Sequence, residues 1–190
     1  MNQKTRRLAV TGLFLALVLL LGLTPIGMIP LGFINVTTLC IPVIVGTLLL
    51  GLKTGMVLGF AFGAVSTFKA FTATTTLVGM LMGKSPMLVI VMCFVPRLLV
   101  PFVTHLVYGW ASRGKPQCGR AVPLAAVAGS LTNTVFYLGM MLLFFALCGI
   151  DAAPVLTLIG GTGLIAGGCE AAVAAILCTP ILTALWKVKR

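Results

Sequence analysis

The chain predicts an all-α membrane protein, a bundle of six transmembrane helices with both termini in the cytoplasm, on three observations. Hydrophobic residues make up 60% of its 190 residues and charged ones 8%, with mean hydropathy +1.21, against roughly 25% charged in a soluble domain. The apolar runs are long and lack strand-like alternation, and a bilayer admits only helices or closed barrels because no backbone group can stay unbonded there. Basic residues fall at the ends of these runs rather than on a polar face.

The spans read 8–23, 36–52, 55–71, 86–110, 121–149 and 160–186, forming one integral-membrane domain over 1–190. The first follows Lys4, Arg6 and Arg7 in the manner of a signal peptide. The chain continues Leu23-Thr24-Pro25-Ile26 without a small-x-small cleavage pattern, so this run is expected to remain as a helix. The second and third are short against the roughly 20 residues a bilayer requires, and Gly51-Leu52-Lys53 divides them. The fourth opens at Pro86 and contains Pro96 and Pro101, which should kink it and free carbonyls. Gly114-Lys115-Pro116 separates it from the fifth, and the segment from Asp151 to Pro154 separates the fifth from the sixth.

An even number of spans puts both ends on one side. Lys4, Arg6, Arg7, Lys53, Arg113, Lys115, Arg120, Lys187, Lys189 and Arg190 share that side, and only Lys69 and Lys84 lie opposite. The positive-inside rule makes the charged side cytoplasmic. The net charge of +11 therefore points to anionic membrane lipid and not to nucleic acid. Trp110 and Trp186, at cytoplasmic helix ends, read as interfacial anchors. The outward joints 24–35 and 72–85 are apolar, so they either fold over a cavity or are ragged ends of short helices.

Chemistry is sparse. Cys40, Cys93, Cys118, Cys148, Cys169 and Cys178 show no CxxC and no histidine at metal-ligand spacing. No metal or cofactor is expected. A GxxxxGK[ST] loop, an HExxH and a nucleophile–base arrangement are absent from the sequence, so the chain is read as a non-enzyme without its own ATPase.

Gly51, Gly55, Gly59 and Gly63 recur every four residues and predict a close-packing face on the third span. Ala9, Gly12 and Ala16 form a second small face on the first span, for internal packing or for docking another membrane protein.

Two ions stand inside apolar runs, Arg97 and Glu170. An intramembrane ion is costly and marks a candidate site. At ~1.5 Å per residue, Arg97 lies roughly 16 Å in from Pro86, Glu170 roughly 15 Å from Gly160 and Asn133 roughly 18 Å from Ala121. All three converge near mid-bilayer. Two arrangements follow, alone or in succession. Arg97 and Glu170 pair with each other, or Arg97 receives an anionic group while Asn133 and Glu170 meet amides or hydroxyls. Thr37, Thr38, Thr134 and Tyr137 add donors near the outer mouth, and His105 reads as a helix-packing residue.

Several segments resemble the substrate-binding S component of energy-coupling factor (ECF) vitamin transporters. They are Ile29-Pro30-Leu31-Gly32-Phe33-Ile34-Asn35-Val36-Thr37-Thr38, Ile41-Pro42-Val43-Ile44, Gly51-Leu52-Lys53-Thr54-Gly55, and Gly59 to Gly63 with Ser66. Val95-Pro96-Arg97, Gly129 to Thr134, and Glu170 with Thr179-Pro180 extend the likeness over most of the chain. The resemblance implies a bundle that captures a vitamin outside, works with a T component and two ATPase subunits, and topples to release its cargo inward. It implies substrate contacts from Arg97, Asn133, Glu170, Asn35, Thr38 and Tyr137, and T-component docking through Ala9, Gly12 and Ala16. Family members carry AxxxA on that first helix; here Gly12 and Ala16 hold the matching spacing. The pantothenate-type branch fits best, since a carboxylate, an amide and hydroxyls suit one Arg, one Asn and one Glu. Riboflavin calls for more aromatic stacking. A solitary secondary carrier for a small organic anion is the rival reading.

Overall fold

The computed structural model describes residues 3–24, 27–30, 35–113 and 119–189. Lys115, Cys118, Arg190, Pro25 and the motif residues 31–34 lie outside the described residues, as do the side chains of Asn35, Val36 and Thr37. The elements are α1 (Gln3–Leu23), strands β1 (Met28–Pro30) and β2 (Asn35–Thr37), α2 (Cys40–Leu50), α3 (Leu52–Thr72) and α4 (Thr76–Lys84), then α5 (Pro86–Ala111), α6 (Ala121–Leu147), α7 (Ala153–Leu158) and α8 (Leu164–Lys189). A π-helical turn, Ile159–Gly163, joins α7 to α8.

Five helices are long and apolar enough to cross a membrane: α1, α3, α5, α6 and α8. The expected span 36–52 is replaced by an 11-residue helix preceded by a strand. At ~1.5 Å per residue, α2 is only about 16 Å long. It is nonetheless the most enclosed helix, with Val43, Ile44, Val45 and Thr47 at or near full burial and α1, α3, α5, α6 and α8 all packed around it.

Both apolar joints contain secondary structure among the described residues. In the first, β1 and β2 pair antiparallel, with Met28 opposite Thr37 and Pro30 opposite Asn35, a small sheet that an all-α expectation missed. In the second, α4 lays Leu77, Val78 and Leu81 onto α5 and α6.

The glycine face packs α3 against α5. A Cβ on Gly59 would lie 2.7 Å from the Arg97 carbonyl oxygen, and one on Gly63 would lie 2.8 Å from the Phe94 ring. Gly51 is not part of this face. It caps α2 and starts the turn into α3 at φ +94°. A second small face, at the π-helical turn and along α8, escaped the sequence reading: Gly163 and Gly167 pack on Leu138 and Thr134 of α6, and Ala171 and Ala174 continue it buried.

Contacts between helix ends bring basic segments together. Arg7 donates to the Leu50 carbonyl at 2.7 Å, tying the start of α1 to the α2–α3 turn. Tyr108 of α5 stacks on Trp186 of α8 with ring centroids 6.3 Å apart. Trp186 is thereby buried in the core and is not the interfacial anchor expected, whereas Trp110 is exposed. His105 also departs from its packing role and lies on the exposed side of α5.

The surface and interior are inverted relative to a soluble protein. Leu8, Leu13, Phe60, Leu106, Val135 and Ile176 are exposed, while Arg97, Thr104, Ser130 and Asn133 are buried. Lipid rewards this arrangement, because apolar atoms can face the tails and polar ones must be enclosed.

Candidate functional site

Two apolar clusters fill the bundle. One surrounds α2 toward the basic end and includes Val43, Ile44, Val100, Ala126 and Leu182. The other lies toward α4 and α7 and includes Leu81, Met92, Met141, Phe145 and Val155. A polar layer is formed where Arg97 of α5 meets Tyr137 of α6 and Phe62 of α3 and Thr134 of α6 meets Glu170 of α8, with Asn133 and Ser66 buried one turn along α6 and α3.

Proline explains the placement of Arg97. Pro96 has no N–H to give to the carbonyl one turn earlier, that of Met92. Arg97 Nη1 donates to this freed carbonyl at 3.2 Å. Pro101 in turn leaves the Arg97 carbonyl without its helical partner, and it is this carbonyl that Gly59 approaches. The two prolines therefore fold the arginine inward and open its backbone to α3.

The guanidinium is stacked between aromatic rings. Its Cζ lies 4.6 Å from the Tyr137 centroid and 5.3 Å from the Phe62 centroid. Such contacts favour a cation by roughly 0.5–2 kcal/mol, which is small beside the cost of taking an arginine out of water. Arg97 is 6% exposed and its Nε has no hydrogen-bond partner. Asn133, one turn before Tyr137 on the same face of α6, is 4% exposed with Oδ1 unpartnered. Ser66 Oγ, one turn from Phe62 on α3, is likewise buried and unpartnered. Buried polar atoms normally find partners, so these three mark the layer as the candidate site.

Glu170 is part-buried and accepts a hydrogen bond from Thr134 Oγ1 at 3.2 Å. The Thr134 hydroxyl is one contact of Glu170, and the Met92 carbonyl and two aromatic rings are contacts of Arg97. Cys40, the first residue of α2, is buried in the apolar cluster around that helix.

The remaining expected site residues sit above this layer. Thr38 donates through its N–H and its hydroxyl to the Gly27 carbonyl, at 3.1 and 3.4 Å, and so closes the base of the hairpin. Asn35 lies in β2, which packs against α8. Phe62 and Ser66 were not assigned from sequence. Their spacing of four on the glycine-faced helix was the available signal.

A family model of ECF transporter substrate-specific components matches residues 6–182. Among relatives, the pantothenic acid transporter PanT of Lactococcus lactis subsp. cremoris (strain MG1363) is 32% identical, covering 80% of this chain and 79% of its own.

Proposed function

Because the chain belongs to the ECF transporter substrate-specific components, multi-pass proteins of the cell membrane, we propose that it captures pantothenate, or a closely similar small anionic vitamin, in the polar layer around Arg97. The observation that carries this reading is the buried Arg97 guanidinium, stacked by Phe62 and Tyr137 with Nε unpartnered and Asn133 Oδ1 unpartnered in the same layer. A carboxylate would meet the guanidinium fork, which suits it geometrically. Asn133, Ser66 and Glu170 would then take the amide and hydroxyl groups. Asn35 and Thr38 belong to the hairpin that would cover the site from outside.

The direct test is calorimetric titration of the purified protein with pantothenate, alongside mass spectrometry of ligand that co-purifies. Saturable one-to-one binding that riboflavin does not compete for is expected. Tight riboflavin binding with none for pantothenate would overturn the substrate assignment.

The orientation proposed is six crossings, with α2 and the hairpin together filling the second, and both termini cytoplasmic. The gathering of Lys4, Arg6, Arg7, Lys53, Arg113, Arg120 and Lys187 at one end supports it. Energy would come from a T component and two ATPase subunits. Ala9, Gly12 and Ala16 are exposed on α1, and nothing lies within 4 Å of a Cβ placed on Gly12, which suits docking of a partner helix. Reconstitution with those partners is expected to give ATP-dependent uptake, and the chain alone none. Gly12→Leu should leave binding and thermal stability unchanged yet abolish coupled uptake. Accumulation by the chain alone would instead favour a solitary carrier.

A further inference from the structure

A cavity of about 480 Å³ opens at the basic end between α5 and α6, lined by Trp110, Ala111, Arg113, Arg120, Ala121 and Leu124. The chain has two acidic side chains. Asp151 lies at the opposite end, bonded to the Ala153 amide at 3.0 Å, and Glu170 is held in the polar layer by Thr134. No carboxylate side chain can therefore reach the two arginines. Arg120 also occupies the N-cap of the 27-residue α6 without a side-chain cap bond. A cation there opposes the helix dipole, and the first turn offers few amides in compensation, since Val122 N–H donates to the Gly119 carbonyl at 3.3 Å and Pro123 has none. Arg113 adds a backbone signal. It sits at φ +47°, in the left-handed region that non-glycine residues seldom occupy, in the turn that closes α5 with its N–H donating to the Trp110 carbonyl at 3.3 Å.

The same cavity has an apolar wall. Trp110 is 76% exposed and Leu124 48% exposed, both at the end of a membrane-crossing helix. An indole at this depth matches the headgroup–tail boundary. Two arginines would serve any phosphate, but the exposed indole and leucine beside them suit one carrying acyl chains.

We infer that this cavity is a binding site for the phosphodiester headgroup of an anionic phospholipid, with Arg113 and Arg120 on the phosphate and Trp110 and Leu124 against the lipid body. The site lies apart from the substrate layer and does not depend on which vitamin is captured.

The intact protein in detergent, titrated with phosphatidylglycerol or phosphatidylcholine of matched chains, is read by native mass spectrometry. Phosphatidylglycerol should be retained preferentially, and Arg113→Gln or Arg120→Gln should each weaken that retention about fivefold. The double variant Lys53→Gln/Lys187→Gln removes two charges from the same end outside the cavity and should leave it unchanged. Equal weakening by the Lys53/Lys187 pair, or equal retention of the two lipids, overturns the site. Displacement of the lipid by millimolar inorganic phosphate identifies a free-phosphate site and overturns the lipid assignment. A second readout uses Trp186→Phe, which leaves Trp110 as the sole tryptophan. Brominated phosphatidylglycerol should quench its fluorescence more than brominated phosphatidylcholine, and Arg113→Gln/Arg120→Gln should erase the difference.

Discussion

Arg97→Ala is expected to weaken pantothenate binding by at least a hundredfold while leaving the ligand-free protein as stable as the parent. The two halves of this result come from different parts of the geometry. Removing one partner of a buried, hydrogen-bonded charge pair costs about 2–5 kcal/mol, and each 1.4 kcal/mol is tenfold in affinity. In the ligand-free protein the arginine is desolvated, with Nε unpartnered. Its described supports are one carbonyl bond and two ring contacts. Alanine loses those supports but also removes the desolvated charge, so the net change in stability should be small.

If Arg97 and Glu170 instead form a structural pair, the same substitution strands a carboxylate and lowers the melting temperature without ligand. Thermal unfolding with and without pantothenate separates the two cases, because a ligand that binds only the folded state raises its stability in proportion to ln(1 + [L]/Kd). Arg97→Lys should be intermediate, since an ammonium keeps the charge but lacks the flat fork that stacks between Phe62 and Tyr137.

The legibility of the molecule from sequence divides along physical lines. The bundle was legible because lipid imposes long apolar helices, and Arg97, Asn133 and Glu170 stood out because polar side chains are rare in such runs. The packing partner of the α3 glycine face was not legible. Spacing of four says that a backbone approaches, but not which one, and only the structure identifies α5 at Arg97 and Phe94.

The second span misled for another reason. Val36, Thr37 and Thr38 are apolar enough to extend a hydrophobic run, yet they are β-branched, and Asn35–Thr37 pairs with Met28–Pro30 as a strand. Composition measures affinity for an apolar setting and cannot separate a full crossing from a half-helix under a cover. Trp186 shows the same limit. A tryptophan near a helix end predicts an interface anchor, but Tyr108 on the neighbouring helix gives it a ring to pack on.

Gly59→Ala should couple those two layers of organisation, lowering both stability and affinity although glycine 59 touches no ligand group in the proposed site. The added methyl would lie 2.7 Å from the Arg97 carbonyl oxygen, 3.2 Å from Pro101 Cγ and 3.5 Å from the Arg97 carbonyl carbon. Two of those atoms are backbone and the third belongs to a proline ring, so no flexible side chain can swing aside. The α5 segment must move, and overpacking of this kind costs about 1–3 kcal/mol.

The shifted segment is the one between Pro96 and Pro101 that aims the guanidinium, so the loss should reach the site. Affinity for pantothenate is expected to fall about tenfold or more, which is 1.4 kcal/mol of lost binding. Gly109→Ala on the same α5 helix meets nothing within 4 Å. It should instead be neutral or slightly stabilising, because alanine favours a helix over glycine by about 1 kcal/mol. Melting temperature and Kd measured for both variants decide the matter. A Gly59→Ala protein that melts lower but binds as well as the parent would show that α5 can yield at Pro101 without moving Arg97, and that the prolines insulate the site instead of transmitting to it.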